Sequence, residues 1–128
     1  MQKPNIKTQR YILVRSSKIH HKGVFAKRNI AKGTKVIEYV GEKISKKEGD
    51  KRAIQMFNKS KKNSKKGAVY VFELNKKYDI DGDVPWNPAK FINHSCTPNC
   101  KIKISKNHIW IESKKPIKKG EEITYNYC

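Results

Sequence analysis

The chain has 128 residues, enough for one domain with a single modest core and too few for two ordinary domains. Its three cysteines, an odd number, fit a reducing compartment and no disulfide framework. No apolar run reaches the roughly 18 residues of a membrane span, and the first residues lack the apolar segment of a signal peptide, so we expect an intracellular protein without membrane contact.

The charge is strongly basic, with 30 Lys and Arg against 11 Asp and Glu and a formal net charge of +19. A field of this sign favours polyanionic partners such as DNA, RNA or the acidic faces of their complexes. A lysine-rich proteome would give the same composition without such a partner. Arginine, the residue that most often reads bases, is rare here. We therefore predict non-specific nucleic-acid binding through a basic surface.

Three short strands are predicted in the first third of the chain, at residues 11–15, 24–26 and 35–40, joined by turns rich in Gly and Asn. Residues 30–36 are echoed by residues 117–123. The echo predicts two similar strand-turn-strand units that flank the middle of the domain, although common turn chemistry would produce the same likeness.

One helix is predicted, because Ser45 followed by Glu48 has the pattern of a capping box. We expect this helix to end near Phe57. Residues 58–67 are lysine, serine, asparagine and glycine, which is typical of a solvated loop and would also suit a loop that follows phosphates. Residues 45–67 are thus interpreted as an insert of one helix and a lysine-rich loop.

A hairpin is predicted next, with its most apolar strand at residues 69–74, a turn at residues 75–77 and a second strand at residues 78–82. It carries three alternating aspartates: Asp79, Asp81 and Asp83. Such alternation occurs in calcium loops, but the closing glutamate is missing, so a hairpin rich in turn residues is the better interpretation.

The densest polar stretch is residues 91–100, Phe-Ile-Asn-His-Ser-Cys-Thr-Pro-Asn-Cys. Its consecutive amide, imidazole, hydroxyl and thiol groups offer more hydrogen-bonding capacity than a plain turn needs. An Asx-type turn is the simpler alternative. His94, Cys96 and Cys100 could form part of a metal site, although the four-ligand spacing of a zinc module is absent. The residues alone leave these interpretations open.

A second polar cluster, Gly-Glu-Glu-Ile-Thr-Tyr-Asn-Tyr, occupies residues 120–127. Two predicted strands, residues 101–104 and 109–111, separate it from the first cluster. Both clusters therefore fall at strand ends. This arrangement predicts one shared site.

Four motifs, in this order, resemble those of the SET-domain protein lysine methyltransferases: Lys-Gly-Val-Phe-Ala (22–26), Glu-Tyr-Val-Gly-Glu (38–42) and the stretches 91–100 and 120–127. Within that family the chain is most similar to the trithorax and Set1-type histone methyltransferases. The resemblance implies a mostly β fold of short curved sheets with one short helix and a C-terminal pseudoknot. Residues 11–128 would form this domain, after a basic N-terminal segment at residues 1–10.

The same resemblance implies methyl transfer from S-adenosyl-L-methionine to a lysine of a histone or another DNA-packaging protein. The positions that match the family's cofactor contacts are His20, Lys22, Gly23, Tyr70, Asn93 and His94. Tyr127 matches the catalytic tyrosine, and Tyr39 matches a wall of the lysine channel. Tyr125 stands where phenylalanine or tyrosine sets the number of methyl groups, and a tyrosine there implies mainly monomethylation. The substrate peptide is expected beside residues 69–73.

The chain departs from the family pattern at several positions. His21 replaces the first glycine of the family's cofactor loop, and Asn126 replaces the aspartate before the catalytic tyrosine. Lys90 stands where the family usually has arginine, and Trp86 stands where it usually has glycine. Because φ > 0 costs histidine more than glycine, we expect either a regular loop at His21 or weaker cofactor binding.

Many relatives continue into a cysteine-rich segment that binds zinc together with the cysteine matching Cys96 and closes the lysine channel. Cys96, Cys100 and Cys128 do not reproduce that arrangement, so we expect no metal. The missing wall is then expected from a second subunit, a partner, the carrier of the substrate, or residues beyond Cys128.

A non-catalytic, basic module that binds nucleic acid or chromatin and keeps the SET fold is the alternative function. It rests on the charge and on the incomplete channel. For either function the expected location is chromatin in a eukaryotic nucleus, or the nucleoid or cytoplasm of a prokaryote.

Overall fold

A computed structural model of the chain describes residues 9–19, 21–62 and 70–127, with the side chains of residues 59–62 left out. Within these segments the elements, in chain order, are β1 (Ile12–Ser16), β2 (Lys22–Ala26), β3 (Lys35–Tyr39), β4 (Glu42–Ser45), α1 (Lys46–Lys62), β5 (Val71–Glu73), β6 (Tyr78–Asp81), a 3-10 helix (Pro88–Phe91), β7 (Asn93–His94), β8 (Cys100–Ser105), β9 (His108–Ser113) and β10 (Glu122–Tyr125). Neither helix of the described segments has the length and apolar character to cross a membrane.

The strands form three small sheets with the orders β1-β2-β10-β7, β3-β9-β8 and β4-β6-β5. All pairings are antiparallel except that of β10 with β7. This mostly β fold with a single α-helix confirms the predicted fold class.

The C-terminal strand β10 lies between β2 and β7, as expected for the pseudoknot. Ile123 is opposite Val24 of β2, and Tyr125 is opposite His94 of β7. The Ser95 N–H then donates to the Tyr125 carbonyl at 3.1 Å. The two polar clusters of the sequence are therefore neighbours in the fold.

Isoleucine dominates the core between the sheets. The fully buried aliphatic side chains are Val24, Ile92, Ile109, Ile111, Ile117 and Ile123. Strand β9 has the expected period of two, because Ile109 and Ile111 are buried whereas His108 is exposed. Each buried isoleucine contributes about 1.5–3 kcal/mol through the area it removes from water.

Helix α1 begins where the capping pattern predicts. The Glu48 N–H donates to Ser45 Oγ at 3.1 Å, while the Glu48 carboxylate accepts from Arg52 Nε at 2.7 Å. The helix is longer than predicted, since residues 58–62 of the expected loop are helical and residues 63–67 lie outside the described segments.

Salt bridges join α1 to the sheet β4-β6-β5. Arg52 also contacts Glu42 at 2.9 Å and Asp81 at 2.8 Å, and Lys46 contacts Asp79 at 2.6 Å. Two of the three alternating aspartates thus bind helix cations, which supports the hairpin rather than a calcium loop. The hydrogen bond to Asp79 is the largest of the effects that raise the pKa of Lys46.

Three short elements were not predicted: β4, the 3-10 helix and β7. Only Ile44 of β4 is buried, so the strand lacks an apolar pattern of its own. The predicted strand at residues 69–74 is shorter, Val71–Glu73, and Val69 lies outside the described residues.

The two echoed units lie side by side. Ile30 and Ile117 form an antiparallel bridge with N···O distances of 2.8 and 2.9 Å. Each unit turns at a glycine with positive φ, 82° at Gly33 and 92° at Gly120. A side chain is disfavoured in this backbone conformation, which explains the repeated glycine.

Candidate active site

A run of aromatic rings connects the predicted channel residues. The ring centroids of Tyr39 and Phe72 are 4.2 Å apart, those of Phe72 and Tyr125 5.9 Å, and those of Tyr125 and Tyr127 4.9 Å. His94 follows at 5.1 Å from Tyr127. Tyr125 and Tyr127 therefore meet at the Asn93–His94 strand, and Phe72 links them to Tyr39, which is distant in the chain.

Tyr127 is held at both its backbone and its hydroxyl. Its hydroxyl donates to the Ile92 carbonyl at 2.6 Å, and its N–H donates to His94 Nδ1 at 3.1 Å. Because a backbone N–H can only donate, His94 Nδ1 carries no proton, and Nε2, 3.4 Å from Cys96 Sγ, carries it. Because the Tyr127 hydroxyl already donates its proton to Ile92, its oxygen can act toward a neighbouring group only as a hydrogen-bond acceptor.

Tyr39 is more deeply buried than Tyr127. Only 2% of its surface is exposed, and its hydroxyl donates to the Tyr70 carbonyl at 2.7 Å. Its ring rests against Gly82, where any Cβ would overlap the phenol. Its ring contacts Phe72, which in turn contacts Tyr125, so Tyr39 belongs to the same run of aromatic rings.

Burial keeps these phenols neutral. Desolvation raises the pKa of Tyr127 to about 12 and raises the pKa values of Tyr39 and Tyr125 further. Desolvation also raises the pKa of Tyr70, with a smaller contribution from the charge of Asp83. At pH 7 all four hydroxyls are protonated, so none is available as a phenolate base.

The side chains of Asn93 and His94, two predicted cofactor contacts, form hydrogen bonds to other groups of the protein. Asn93 is buried, and its Nδ2 donates to Glu122 Oε2 at 2.7 Å and to the Lys22 carbonyl at 3.0 Å. Ser17 Oγ donates to the same carboxylate at 2.7 Å. These bonds fix the β2 end of the expected cofactor loop to β7 and β10.

Gly23 is required at the centre of this cluster. A Cβ there would overlap Glu122 Oε2 and lie 2.8 Å from Ser17 Cβ. Sequence reasoning missed Ser17 and Glu122. The available signal was the second glutamate of the Glu-Glu pair, which precedes three buried residues of β10.

Lys22 is exposed at the start of β2 and extends over Phe91, with its Nζ 5.2 Å from the ring centroid. Lys90 approaches the same ring at 5.2 Å and lies 3.5 Å from Asp83. His21 is exposed immediately before β2, and its carbonyl accepts the Ser17 N–H at 3.1 Å. His20 lies outside the described residues.

The two cysteines of the described segments lie in different environments. Cys96 is exposed, whereas Cys100 is buried in the core. Burial raises the pKa of the Cys100 thiol to about 12, which disfavours the thiolate that metals bind. In the described segments no group of three or more His, Cys, Asp or Glu side chains is close enough to hold a metal ion. Cys128 lies outside them.

A cleft of about 330 Å³ opens over the tyrosines. Its lining residues are Phe72, Pro98, Cys100, Lys101, Ile102, Lys114, Tyr125, Asn126 and Tyr127. This volume is at the lower end of the range of ligand pockets, about 300–1,000 Å³. Such a cleft has room for one extended side chain, with two phenols at its wall.

Comparisons with known proteins agree with this geometry. A histone-lysine N-methyltransferase, H3 lysine-4 specific, of Aspergillus oryzae is 39% identical over 115 residues, 87% of this chain and 9% of that protein. The histone-lysine N-methyltransferase SETD1A of Homo sapiens is 42% identical over 115 residues, 87% of this chain and 6% of that protein. The chain thus spans less than a tenth of either relative.

A solved structure, ctPRC2 in an autoinhibited conformation bound to S-adenosylmethionine, superposes with a TM-score of 0.73 at 27% identity. The match covers 91% of this chain and 15% of that one. A humanized mutant of the Chaetomium thermophilum Polycomb Repressive Complex 2 gives a TM-score of 0.71. The family model described as SET domain matches residues 21–128, and the chain belongs to the SET-domain family.

Proposed function

We propose that the chain is an S-adenosyl-L-methionine-dependent protein lysine N-methyltransferase that acts on tails of histones or other DNA-packaging proteins. The observation that carries the proposal is the meeting of Tyr125 and Tyr127 with the Asn93–His94 strand beside a cleft. Two further facts support it. The relatives are named histone-lysine N-methyltransferases, and a structural neighbour is bound to S-adenosylmethionine.

The donor set around β2 fits the cofactor. The exposed ammonium of Lys22 suits a carboxylate, and the lone pairs of the neutral phenol oxygens suit a positively charged sulfonium. The residues that would hold S-adenosyl-L-methionine are His20, Lys22, Gly23, Tyr70, Asn93 and His94. When bound, it supplies an electrophilic methyl group, which the lysine nitrogen takes up with its lone pair while the sulfur keeps the electrons of the broken bond.

The protein's task is to present an uncharged, aligned amine. A lysine with the usual pKa near 10.4 loses its proton at pH 7 at a cost of roughly 4–5 kcal/mol. Burial against Phe72, Tyr125 and Tyr127 disfavours the ammonium and lowers this cost, so the proton leaves to solvent without a dedicated base. The Tyr127 oxygen accepts an N–H of the amine, which directs the nitrogen lone pair.

Tyr125 is proposed to limit the product to mainly monomethyl-lysine. Its side chain is 5% exposed and stands between Phe72 and Tyr127 at the wall of the cleft. Its hydroxyl, or a water bound to it, would occupy the space that further methyl groups need.

We also propose that a further segment or molecule completes the cleft. Tyr127 is 45% exposed, so the side of the channel next to it is open among the described residues. A second copy of the chain, a partner protein, the carrier of the substrate or residues beyond Cys128 would cover it. Non-specific binding to nucleic acid, and a location at chromatin or the nucleoid, follow from the charge and from the substrate class.

Label transfer tests the proposal. The chain is incubated with methyl-labelled cofactor and either histones or bacterial DNA-packaging proteins, and cofactor binding is measured separately by calorimetry. We expect labelled lysine and a measurable cofactor affinity. Absence of both refutes the proposal. Cofactor-independent, salt-sensitive DNA binding without transfer would instead support the non-catalytic alternative.

A further inference from the structure

The two echoed turn units form one strongly basic surface. We define the twin-turn surface by the exposed basic residues of segments 27–35 and 115–119: Lys27, Arg28, Lys32, Lys35, Lys115, Lys118 and Lys119. One acidic residue, Glu121, follows the second segment. Its side chain accepts the Lys118 N–H at 3.2 Å.

The surface is held rigid by backbone contacts. Besides the Ile30–Ile117 bridge, the Lys119 N–H donates to Asn29 Oδ1 at 2.9 Å, and the Gly33 N–H donates to the Ser113 carbonyl at 2.8 Å. Lys27 and Arg28 are thereby placed beside Lys118 and Lys119. The backbone that carries these charges is thus fixed before any partner binds, which lowers the entropic cost of binding.

These charges are not neutralised internally. Among the described residues, the lysines and arginines that form ion pairs are Lys46, Arg52, Lys90, Lys101 and Lys103. None of them belongs to the twin-turn surface. These seven exposed cations are therefore open to a polyanion.

We propose that the twin-turn surface binds the phosphate backbone of duplex DNA without reading its sequence. Proteins that bind single strands stack bases on aromatic side chains. Segments 27–35 and 115–119 contain no aromatic residue, and the nearby Trp110 ring has Lys35 Nζ 5.0 Å above it. Six of the seven cations are lysines, which suit phosphate contacts better than base recognition. The choice of DNA over duplex RNA rests on the proposed function.

The position of the surface connects it to the cleft. Lys114, the neighbour of Lys115, lines the cleft beside Tyr127, and its N–H donates to the Asn99 carbonyl at 2.9 Å. A continuous basic path therefore runs from the twin-turn surface to the rim of the cleft. A tail that leaves a DNA-bound carrier would enter the cleft from that rim.

Two variants with the same change in charge test the proposal. The first, K27Q/K32Q/K118Q/K119Q, removes four charges from the twin-turn surface. The control, K47Q/K51Q/K76Q/K77Q, removes four exposed lysines from α1 and the β5–β6 turn. Fluorescence anisotropy with a labelled 20-base-pair duplex is recorded between about 50 and 200 mM salt, and thermal unfolding verifies that both variants fold.

Seven phosphate contacts give a slope of log K against log[salt] of about −6, and three give about −3. Over the fourfold range of salt, the affinity of the unmodified protein should fall several-thousand-fold, and that of the twin-turn variant about 40-fold. The control should retain the steeper slope, and duplexes rich in A·T or G·C should bind equally.

Equal loss in the two variants, no loss in either, or tighter binding of single-stranded RNA than of duplex DNA would overturn the proposal. Tighter binding of duplex RNA than of duplex DNA would overturn the choice of DNA. These measurements need no methyl transfer, so their failure is distinct from failure of the proposed activity.

Discussion

The cluster around Glu122 offers a quantitative test of how the site is held. The carboxylate accepts from Ser17 Oγ at 2.7 Å and from Asn93 Nδ2 at 2.7 Å. In Glu122→Gln one of the two oxygens becomes an NH₂ group. The Ser17 hydroxyl can turn to accept from it, whereas the Asn93 amide can only donate at this contact. In the variant, the remaining carbonyl oxygen still accepts from Asn93, but this hydrogen bond is weaker because the acceptor is no longer charged.

Hydrogen bonds to charged groups contribute about 1.5–3 kcal/mol, and neutral ones about 1 kcal/mol. Neutralising one acceptor that serves two donors should therefore lower the free energy of unfolding by about 1–3 kcal/mol. The adjacent Glu121→Gln is the matched control. Glu121 is exposed, and its substitution should change stability by less than about 0.5 kcal/mol.

Urea denaturation of both variants measures these changes, and calorimetry measures cofactor affinity. Because Asn93 also binds the Lys22 carbonyl at 3.0 Å, Glu122→Gln should weaken cofactor binding more than Glu121→Gln does. If the two variants have equal stability and equal cofactor affinity, the cluster does not hold the site and our reasoning is refuted.

Three further predictions concern the tyrosines. Gly82→Ala should cost about 1–3 kcal/mol of unfolding free energy and reduce transfer, because a Cβ would overlap the Tyr39 ring; wild-type stability in denaturant melts would contradict this. Tyr125→Phe should shift products from monomethyl-lysine toward di- and trimethyl-lysine, and an unchanged product distribution by mass spectrometry would show that residue 125 does not set it. The pKa of Tyr127 is raised from 10.0 to about 12, so the stabilisation from its neutral form persists below pH 10 and is lost between about pH 10 and 12. The rate of methyl transfer should accordingly rise with pH up to about 10. A rate that falls with increasing pH already below pH 9, and no longer does so in Tyr127→Phe, would be inconsistent with a protonated phenol.

Local pattern predicted the elements that have a strong period or cap. Strand β9 shows alternation, and Ser45 caps α1 as the sequence indicated. Strand β4 was missed because pairing with β6, rather than an apolar pattern, makes it a strand. The extension of α1 to Lys62 was missed because lysine, serine and asparagine are common both in solvated loops and on exposed helices.

The sequence motifs predicted the parts of the site that the motif residues themselves form. The meeting of β7 with β10 was expected from two polar clusters at strand ends. The burial of Glu122 was not, because a carboxylate is partly buried only when donors from distant segments reach it, here Ser17 and Asn93. The depth of Tyr39 was also unpredicted, since it depends on the contacts with Phe72 and Gly82.

The most direct measurement compares Tyr127→Phe with the unmodified protein in single-turnover methyl transfer, alongside the cofactor dissociation constant. The phenylalanine ring fills the same place but cannot accept an N–H from the lysine amine. We expect transfer to fall on the order of a hundredfold, because misplacing a reacting group costs about that much. The cofactor dissociation constant should change by less than about twofold. Transfer at the unmodified rate would contradict the assignment of Tyr127 and, with it, the proposed alignment of the lysine.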